Sequence, residues 1–153
     1  MRGGPSIRGS GHNRGRLIGR TKGGLNSKLH VATDSMGRPI QMFLSAGQTS
    51  DYVGACAMLS LLPTAKVLIA DRGYDADWFR GVLRDKGFEP CIPARKGRNA
   101  PSSYDLVLYK RRHRIENMFA RQKDWRRIAT RHDRCPQVFL SACALAAVVL
   151  FWL

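Results

Sequence analysis

The feature that most constrains the fold of this chain is a short apolar run, Ala-Lys-Val-Leu-Ile-Ala-Asp, at positions 65–71. The run is too short for a buried helix, and it is typical of a strand that is covered on both faces. A further extended segment at 89–94 contains Pro90 and Pro93, which restrict it to the edge of a sheet. The run therefore predicts a layered protein in which helices cover a sheet.

Extended and helical patterns alternate on either side of this run. Residues 28–34 alternate with period two, and a turn at 35–38 joins them to an extended segment at 39–46, so we expect a hairpin. Four helices are predicted, namely Tyr52–Leu62, a helix capped by Asp75 with Trp78, Phe79, Val82 and Leu83 facing inward and Gly87 at its exit, Tyr109–Trp125, and a last helix that begins at Pro136. This order favours one α/β domain with a mixed sheet flanked by helices.

The charge of the chain indicates its partner. The 153 residues include 26 Lys and Arg but only 11 Asp and Glu, which gives a net charge of +15. Two basic zones, 1–50 and 95–134, flank a nearly neutral middle. Because cations that neutralise phosphates release the counterions of a polyanion, nucleic acid is the expected partner. Residues 1–27 are rich in Gly and Arg and contain little to bury, so we expect a flexible basic arm before a domain at 28–153.

The cysteines and the apolar C-terminus favour a cytoplasmic protein. Cys56, Cys91, Cys135 and Cys143 lack the spacing of a zinc site, and we expect buried free thiols of a reducing compartment. The apolar run at 139–153 is shorter than the roughly 20 residues of a membrane span, so we expect a buried helix and no membrane partner. A small membrane protein with a basic cytoplasmic head is the alternative that this run leaves open.

One stripe of the predicted helix at 109–125 carries an unusual set of polar side chains. With 3.6 residues per turn, Tyr109, Arg112, Glu116 and Lys123 project from the same face. The simplest interpretation is a solvated face on which Arg112 pairs with Glu116 at i, i+4.

Two aspartates stand where predicted strands end. Asp34 closes the segment at 28–34, and Asp71 closes the run at 65–71. Ligands gather at the carboxyl ends of strands in open α/β sheets, so the two could face each other, with Glu116 brought to them by its helix. Three neighbouring carboxylates repel unless a cation binds, and oxygen-rich sites select Mg²⁺ or Mn²⁺. The alternative is that Asp34 only starts a turn and Asp71 only bonds loop amides.

Three motifs in this order resemble those of the bacterial insertion-sequence transposases of the DDE type. The helix pattern Tyr-x2-Arg-x3-Glu-x6-Lys, which begins at Tyr109, matches the Tyr-Arg-Glu-Lys signature of that family in all four residues and all spacings. The segment at 19–34 is similar to the surroundings of the family's first catalytic aspartate. The segment Ala-Asp-Arg-Gly-Tyr-Asp at 70–75 is similar to those of the second.

The resemblance implies a fold, a cofactor and a reaction. The domain would have a ribonuclease-H-like catalytic core, with Asp34, Asp71 and Glu116 as ligands of two Mg²⁺ (or Mn²⁺) ions. The activity would be metal-dependent cleavage of DNA at the ends of an insertion sequence, followed by strand transfer into target DNA. The enzyme would act as a homo-oligomer on DNA, at the nucleoid in the bacterial cytoplasm.

The resemblance also implies DNA contacts and a partner domain. Tyr109, Arg112 and Lys123 would touch DNA near the cleavage site, and beside such a site we interpret Arg126 and Arg127 as a track for the DNA backbone. Complete members of the family carry an N-terminal domain that recognises the element's ends, whereas only a basic arm precedes the catalytic segment here. We therefore expect the chain to be fused to or paired with a recognition domain from an upstream reading frame. The alternative is a catalytically inactive DNA-binding fragment or regulator.

Overall fold

The computed structural model describes residues 19–21, 24–100, 102–130 and 135–153. Its regular elements are β1 (Gly19–Thr21), β2 (Gly24–Thr33), β3 (Pro39–Ala46), α1 (Asp51–Leu59), β4 (Val67–Ile69), α2 (Asp77–Asp85), β5 (Glu89–Cys91), α3 (Leu106–Tyr109), α4 (His113–Lys123), α5 (Arg126–Ala129) and α6 (Pro136–Phe151). Short 3₁₀ turns lie at Arg72–Tyr74 and Lys110–Arg112. The predicted α/β class is confirmed.

The hairpin predicted at 28–46 is confirmed. Strands β2 and β3 pair antiparallel with Leu29 opposite Leu44, and the register shifts at Ala32/Thr33. Gly37 closes the connecting turn with a φ of +83°, a conformation that Gly adopts at little cost. The turn therefore fixes the direction in which the chain leaves Asp34.

Strand structure reaches into the segment that the sequence predicted as a flexible arm. Strand β1 pairs antiparallel with β2, and both include residues of the predicted arm at 1–27. The hydrogen bonds of a ladder join backbone groups and need no apolar side chains, so a segment rich in Gly and Arg can still pair. The rest of the predicted arm, residues 1–18, 22 and 23, lies outside the described residues.

The described strands form two sheets rather than the single mixed sheet that the sequence predicted. One is the antiparallel sheet β1-β2-β3, and the other is the parallel pair β4-β5, which α2 connects. Strand β4 was expected to be central, but it has only three residues, all half-buried, and pairs with β5 alone among the described strands. Its hydrogen bonds to β5 run from the carbonyl of Lys66, which accepts from Glu89, to the N–H of Ala70, which donates to Cys91.

Two hydrophobic clusters hold the layers together. The first joins α1, α2 and the second sheet through Leu59, Phe79, Leu83, Phe88 and Ile92. The second joins β3 to α6 through Leu44, Phe139 and Cys143. Burial of such side chains is the main favourable term in folding. The first cluster therefore holds α1 and α2 against the second sheet, and the second cluster holds α6 against β3.

Helix α2 differs from its prediction in two residues. Phe79 and Leu83 face inward as expected, but Trp78 is 53% exposed and packs against the ring of Tyr52, 5.0 Å between centroids. The helix begins at Asp77 rather than directly after Asp75, because Asp75 is buried in an ion pair instead of serving as a cap. Gly87 leaves the helix with a φ of +83°, as its sequence position predicted.

The segment predicted as one helix at 109–125 is helical in three pieces. Helix α3 begins at Leu106, the turn Lys110–Arg112 is 3₁₀, and α4 ends at Lys123. Since a 3₁₀ turn has 3.0 residues per turn, Tyr109 does not keep the angular position that a uniform α-helix would give it. The predicted four-residue stripe is therefore valid only from Arg112 onwards.

Three further expectations concern helix ends, cysteines and membranes. Helix α1 ends at Leu59, three residues before the predicted end, whereas α6 begins at Pro136 as predicted. All four cysteines are free thiols, but only Cys91 and Cys143 are buried, whereas Cys56 is half-buried and Cys135 is exposed. Within the described part of the chain, no helix combines the length and the apolarity needed to cross a membrane.

Helix α1 packs on the hairpin through a close approach at Gly54. An added Cβ at Gly54 would lie 2.3 Å from the ring of His30. That ring is buried, its Nε2 lies 2.8 Å from Ser45 Oγ, and burial holds the pKa of His30 below its ordinary value. The absence of a side chain at Gly54 therefore lets α1 lie against a fixed, neutral imidazole.

We predict opposite effects of alanine at two helical glycines. Gly54→Ala should lower the free energy of unfolding by about 1–3 kcal/mol, because the buried ring of His30 cannot yield without repacking. Gly81→Ala in α2 should raise it by about 0.5–1 kcal/mol, because nothing lies within 4 Å of its added Cβ and Ala is the better helix former. Urea unfolding followed by circular dichroism measures both, and equal effects would contradict the packing of α1 on His30.

Candidate active site

The three predicted carboxylates lie on three different elements. Asp34 directly follows β2, Asp71 stands two residues beyond β4 at the start of a 3₁₀ turn, and Glu116 lies in the first turn of α4. All three are within the described residues, so their surroundings can be compared directly.

Asp71 and Glu116 share one arginine. Arg112 Nη2 lies 3.4 Å from Asp71 Oδ2, and Nη1 of the same guanidinium donates to Glu116 Oε1. The second oxygen of Asp71, Oδ1, accepts a hydrogen bond of 2.7 Å from the backbone N–H of Gly73. The predicted i, i+4 pair on α4 is thus present, and Arg112 also brings in a carboxylate from a distant part of the sequence.

Asp34 is bound within its own turn. Its Oδ1 accepts hydrogen bonds of 2.9 Å from the backbone N–H groups of Met36 and Arg38, and its Oδ2 accepts one of 2.8 Å from Arg38 Nε. Burial alone would raise the pKa of Asp34, but the hydrogen bonds from Arg38 and Met36 outweigh it and hold the pKa below its ordinary value. Asp34 therefore remains an anion whose charge is matched by Arg38.

The turn that follows Asp34 lies against the helix that carries Glu116. Arg114 of α4 donates from its guanidinium to the carbonyl of Ser35. A Cβ built on Gly37 would lie 3.0 Å from the Cβ of Arg114. The turn and the first half of α4 are therefore in direct contact, whereas Asp34 itself is bound by Met36 and Arg38.

The donor set suits a divalent cation, but only two of its three members are joined. Carboxylate oxygens are the ligands that Mg²⁺ and Mn²⁺ prefer, and the guanidinium of Arg112 already supplies positive charge between Asp71 and Glu116. Among the described residues, no three His, Cys, Asp or Glu side chains are grouped as a metal site requires. The assignment of Asp34, Asp71 and Glu116 as a single site stays a prediction.

The residues expected to contact DNA lie on α3, the 3₁₀ turn that follows it, α4 and α5. Tyr109 is half-buried and packs edge-on against Tyr104, 5.4 Å between ring centroids. Lys123, Arg126 and Arg127 are exposed. Arg112 is the member of the predicted set that pairs with Asp71 and Glu116.

A largely apolar open groove connects Glu116 with Lys123. Both side chains line it, together with Leu29, Phe119, Ala120, Gln122, Ile128 and Phe139. The two signature residues that follow Arg112 therefore belong to one continuous surface between β2, α4, α5 and α6.

Sequence reasoning missed a buried charge cluster beside Asp71. Asp75 is 4% exposed, and its carboxylate accepts hydrogen bonds from the side chains of Arg80 and Arg98 and from the backbone N–H of Arg95. The only sequence signal was the position of Asp75 inside the motif at 70–75, where it was interpreted as a helix cap. The arginines gave no signal, because in so basic a chain they are not distinguished from surface residues.

The chain is similar to known proteins along most of its length. The family model described as a transposase DDE domain matches residues 4–151. The chain is similar to a protein assigned as the transposase of insertion sequence element IS6501 in Brucella ovis, with 32% identity over 130 residues, which are 84% of this chain and 99% of that protein. It is also similar to a protein assigned as the transposase of insertion sequence element IS402 in Burkholderia cepacia, with 28% identity over 137 residues, which are 82% of this chain and 63% of that protein. No solved structure matches the chain significantly.

We predict that alanine is costlier at Gly37 than at Gly97. Both glycines have a positive φ, +83° and +80°, so an alanine at either adds backbone strain of about 1–2 kcal/mol. At Gly37 the new Cβ would also press on Arg114, whereas nothing lies within 4 Å of it at Gly97. Thermal unfolding should therefore show a larger loss for Gly37→Ala, by about 1 kcal/mol or more. Equal losses would mean that the turn after Asp34 does not lie against α4.

Proposed function

The chain belongs to the transposase DDE domain family, and we propose that it cuts DNA strands at the ends of an insertion sequence and transfers them to target DNA. The observation that carries this proposal is the arginine shared by Asp71 and Glu116, two acids that are far apart in the sequence. A chain with 11 acids among 153 residues brings two of them to one cation beside an otherwise basic helix. Carboxylate oxygens that are brought together are also the ligands that hard divalent cations prefer.

We further propose a ribonuclease-H-like arrangement in which Asp34 completes the site. The hairpin β2-β3 followed by α1, β4, α2 and β5 supports this proposal, because Asp34 follows β2 and Asp71 follows β4. The contact between the turn at 35–38 and α4 gives further support, since it places the neighbours of Asp34 on the helix of Glu116.

In this proposal Asp34, Asp71 and Glu116 hold two Mg²⁺ or Mn²⁺ ions. Bound there, the ions would supply Lewis-acid activation, first of water for hydrolysis and then of a DNA 3′-hydroxyl for strand transfer. The carboxylates themselves would supply the negative charge and the oxygen donors for the ions, once Arg112 has moved away from Asp71 and Glu116.

Arg112 would then exchange its carboxylate partners for DNA. Its planar guanidinium can bind a phosphate with two parallel hydrogen bonds. In the structure its Nη2 contacts Asp71 and its Nη1 contacts Glu116. Tyr109 would stack on an unpaired base, and Lys123 would neutralise a phosphate along the groove that it shares with Glu116. Arg126 and Arg127 would continue this contact along the DNA backbone.

The proposed setting is a homo-oligomer on DNA at the bacterial nucleoid, with a recognition domain from an upstream frame fused to or paired with the chain. The names of the two relatives, both tied to insertion sequence elements, support transposon ends and target DNA as the partners. The net charge of +15 supports binding to a polyanion of either kind.

One observation favours a second candidate, a non-catalytic DNA-binding regulator of transposition. Both oxygens of Asp34 are engaged by Arg38 and by amides of its own turn, which is how an aspartate with a purely structural role is bound. A protein of this kind would keep the basic surface and bind element ends without cutting them.

We predict that Asp71→Asn strongly reduces cleavage. In Mg²⁺ or Mn²⁺, nicking of DNA that carries the element's ends should fall by a factor of about 100 or more, because loss of one carboxylate charge removes several kcal/mol of stabilisation at the cleavage site. Asp85→Asn, at the exposed end of α2, is the matched control and should leave nicking unchanged.

Two further outcomes of the nicking assay separate the two candidate functions. Nicking by the wild type without a divalent ion would contradict the metal-dependent reaction. Binding without any nicking, even with an end-recognition domain supplied, would favour the regulator.

We predict that Lys123→Ala reduces the salt dependence of DNA binding. The slope of log K against log salt should become smaller by about 1, because one phosphate contact is lost. Lys66→Ala, on an exposed residue at the start of β4, should change neither affinity nor slope. Titrations at several salt concentrations by fluorescence anisotropy measure both, and equal slopes for the two variants would remove Lys123 from the DNA interface.

A further inference from the structure

Two reciprocal contacts tie the turn that carries Asp71 to the segment after β5. The carboxylate of Asp75, at the end of this turn, accepts a hydrogen bond of 2.8 Å from the backbone N–H of Arg95. In the other direction, the guanidinium of Arg95 donates to the carbonyl of Gly73 at 2.5 Å and to that of Arg72 at 3.3 Å. In each contact, a side chain of one segment is therefore hydrogen-bonded to the backbone of the other.

The Asp75 side of this arrangement is anchored in the protein interior. Arg80, 2% exposed, donates from Nε and Nη2 to Asp75 Oδ1 at 3.0 and 2.9 Å, and its Nη2 also donates to the carbonyl of Ile92. Arg98 adds a further bond of 2.7 Å from Nη1. Because its donors are supplied by α2 and by the segment at 92–98, Asp75 cannot turn without breaking several buried bonds.

The Arg95 side reaches Asp71 through one peptide plane. The carbonyl of Arg72 and the N–H of Gly73 belong to the same trans peptide and point in opposite directions. Arg95 Nε holds that carbonyl, while the N–H donates to Asp71 Oδ1 at 2.7 Å. The guanidinium of Arg95 thereby sets the orientation of the amide to which the Asp71 carboxylate is bound.

The guanidinium of Arg95 is itself held in place. Its Nη2 donates to the hydroxyl of Tyr52 at 2.9 Å, and the ring of Tyr52 packs against Tyr74 and Phe79. The contacts of Arg95 thus connect the hydrophobic cluster between α1 and α2 to the turn of Asp71.

We propose that Arg95 is a positioning residue for Asp71. It fixes the carboxylate in the orientation that meets Arg112, and in the proposed function in the orientation that meets the divalent ions. This inference rests on the proposed function for the role of Asp71, and it adds a residue outside the Tyr-Arg-Glu-Lys signature. Arg95 touches neither Glu116 nor Arg112 in the structure, so it acts through the turn alone.

The test measures metal binding by the full chain without DNA. Titration calorimetry with Mn²⁺ should show that Arg95→Ala weakens binding about 10- to 100-fold, the usual effect of removing a group that orients a metal ligand. Arg95→Lys, which can still donate to a carbonyl but has no planar fork, should recover part of this loss. Lys96→Ala is the matched control, because it removes the same charge from the neighbouring, exposed position and should leave Mn²⁺ affinity unchanged.

A second measurement separates positioning from DNA binding. In nicking assays at saturating DNA, the Mg²⁺ concentration that gives the half-maximal rate should be at least about 10-fold higher for Arg95→Ala than for the wild type. The slope of DNA affinity against salt should change no more than it does in Lys96→Ala. Circular dichroism tests whether each variant is folded. If Arg95→Ala does not fold, the comparison with the wild type is made with Arg95→Lys.

The results that overturn this inference differ from those that overturn the proposed function. Unchanged Mn²⁺ affinity in a folded Arg95→Ala variant, with wild-type binding abolished by Asp71→Asn, would refute the positioning role alone. If Arg95→Ala does not fold, unchanged affinity in Arg95→Lys would refute it. Absence of Mn²⁺ binding that depends on Asp71 in the wild type would refute both.

Discussion

The buried carboxylate of Asp75 is the interaction on which the arrangement around the site depends. An ionised group with 4% exposure is stable only if it is paired and hydrogen-bonded, and here Arg80, Arg98 and the backbone of Arg95 meet that need. Burial alone would raise the pKa of Asp75, but these hydrogen bonds hold it below its ordinary value. Removing Asp75 would leave the buried guanidinium of Arg80 without its carboxylate partner, at a cost of about 3–5 kcal/mol. The turn of Asp71, helix α2 and the segment after β5 are consequently fixed together.

Each acid of the candidate site also has an arginine partner, although these acids are less buried than Asp75. Asp34 is matched by Arg38, and Asp71 and Glu116 are matched by Arg112. A chain with so many cations can assemble carboxylates without a metal, because an arginine is close to each of them. In the proposed function, a divalent ion would replace Arg112 as the partner of the acids. A DNA phosphate would replace the acids as the partner of Arg112.

Much of the fold was predictable from local patterns, and the errors have identifiable causes. The hairpin and the start of α6 at Pro136 follow from period-two alternation and from the preference of proline for a first helical turn. The central strand expected at 65–71 was wrong in extent, because pairing depends on which strand lies alongside and not on apolarity alone. Trp78 was wrong in exposure, because a stripe of four large residues cannot all reach a small core that Phe79 and Leu83 already fill.

The sequence by itself determined the family, the basic character and the identity of the candidate acids, since motif spacing and charge are properties of the chain order. Only the tertiary structure decided the partners of those acids. Arg112 reaches Asp71 across 41 positions of sequence and Arg95 reaches Gly73 across 22, so neither pairing leaves a local pattern. The physical reason is that a charge interaction depends on distance in space, and in a chain with 26 cations many arginines could have served until folding selected these.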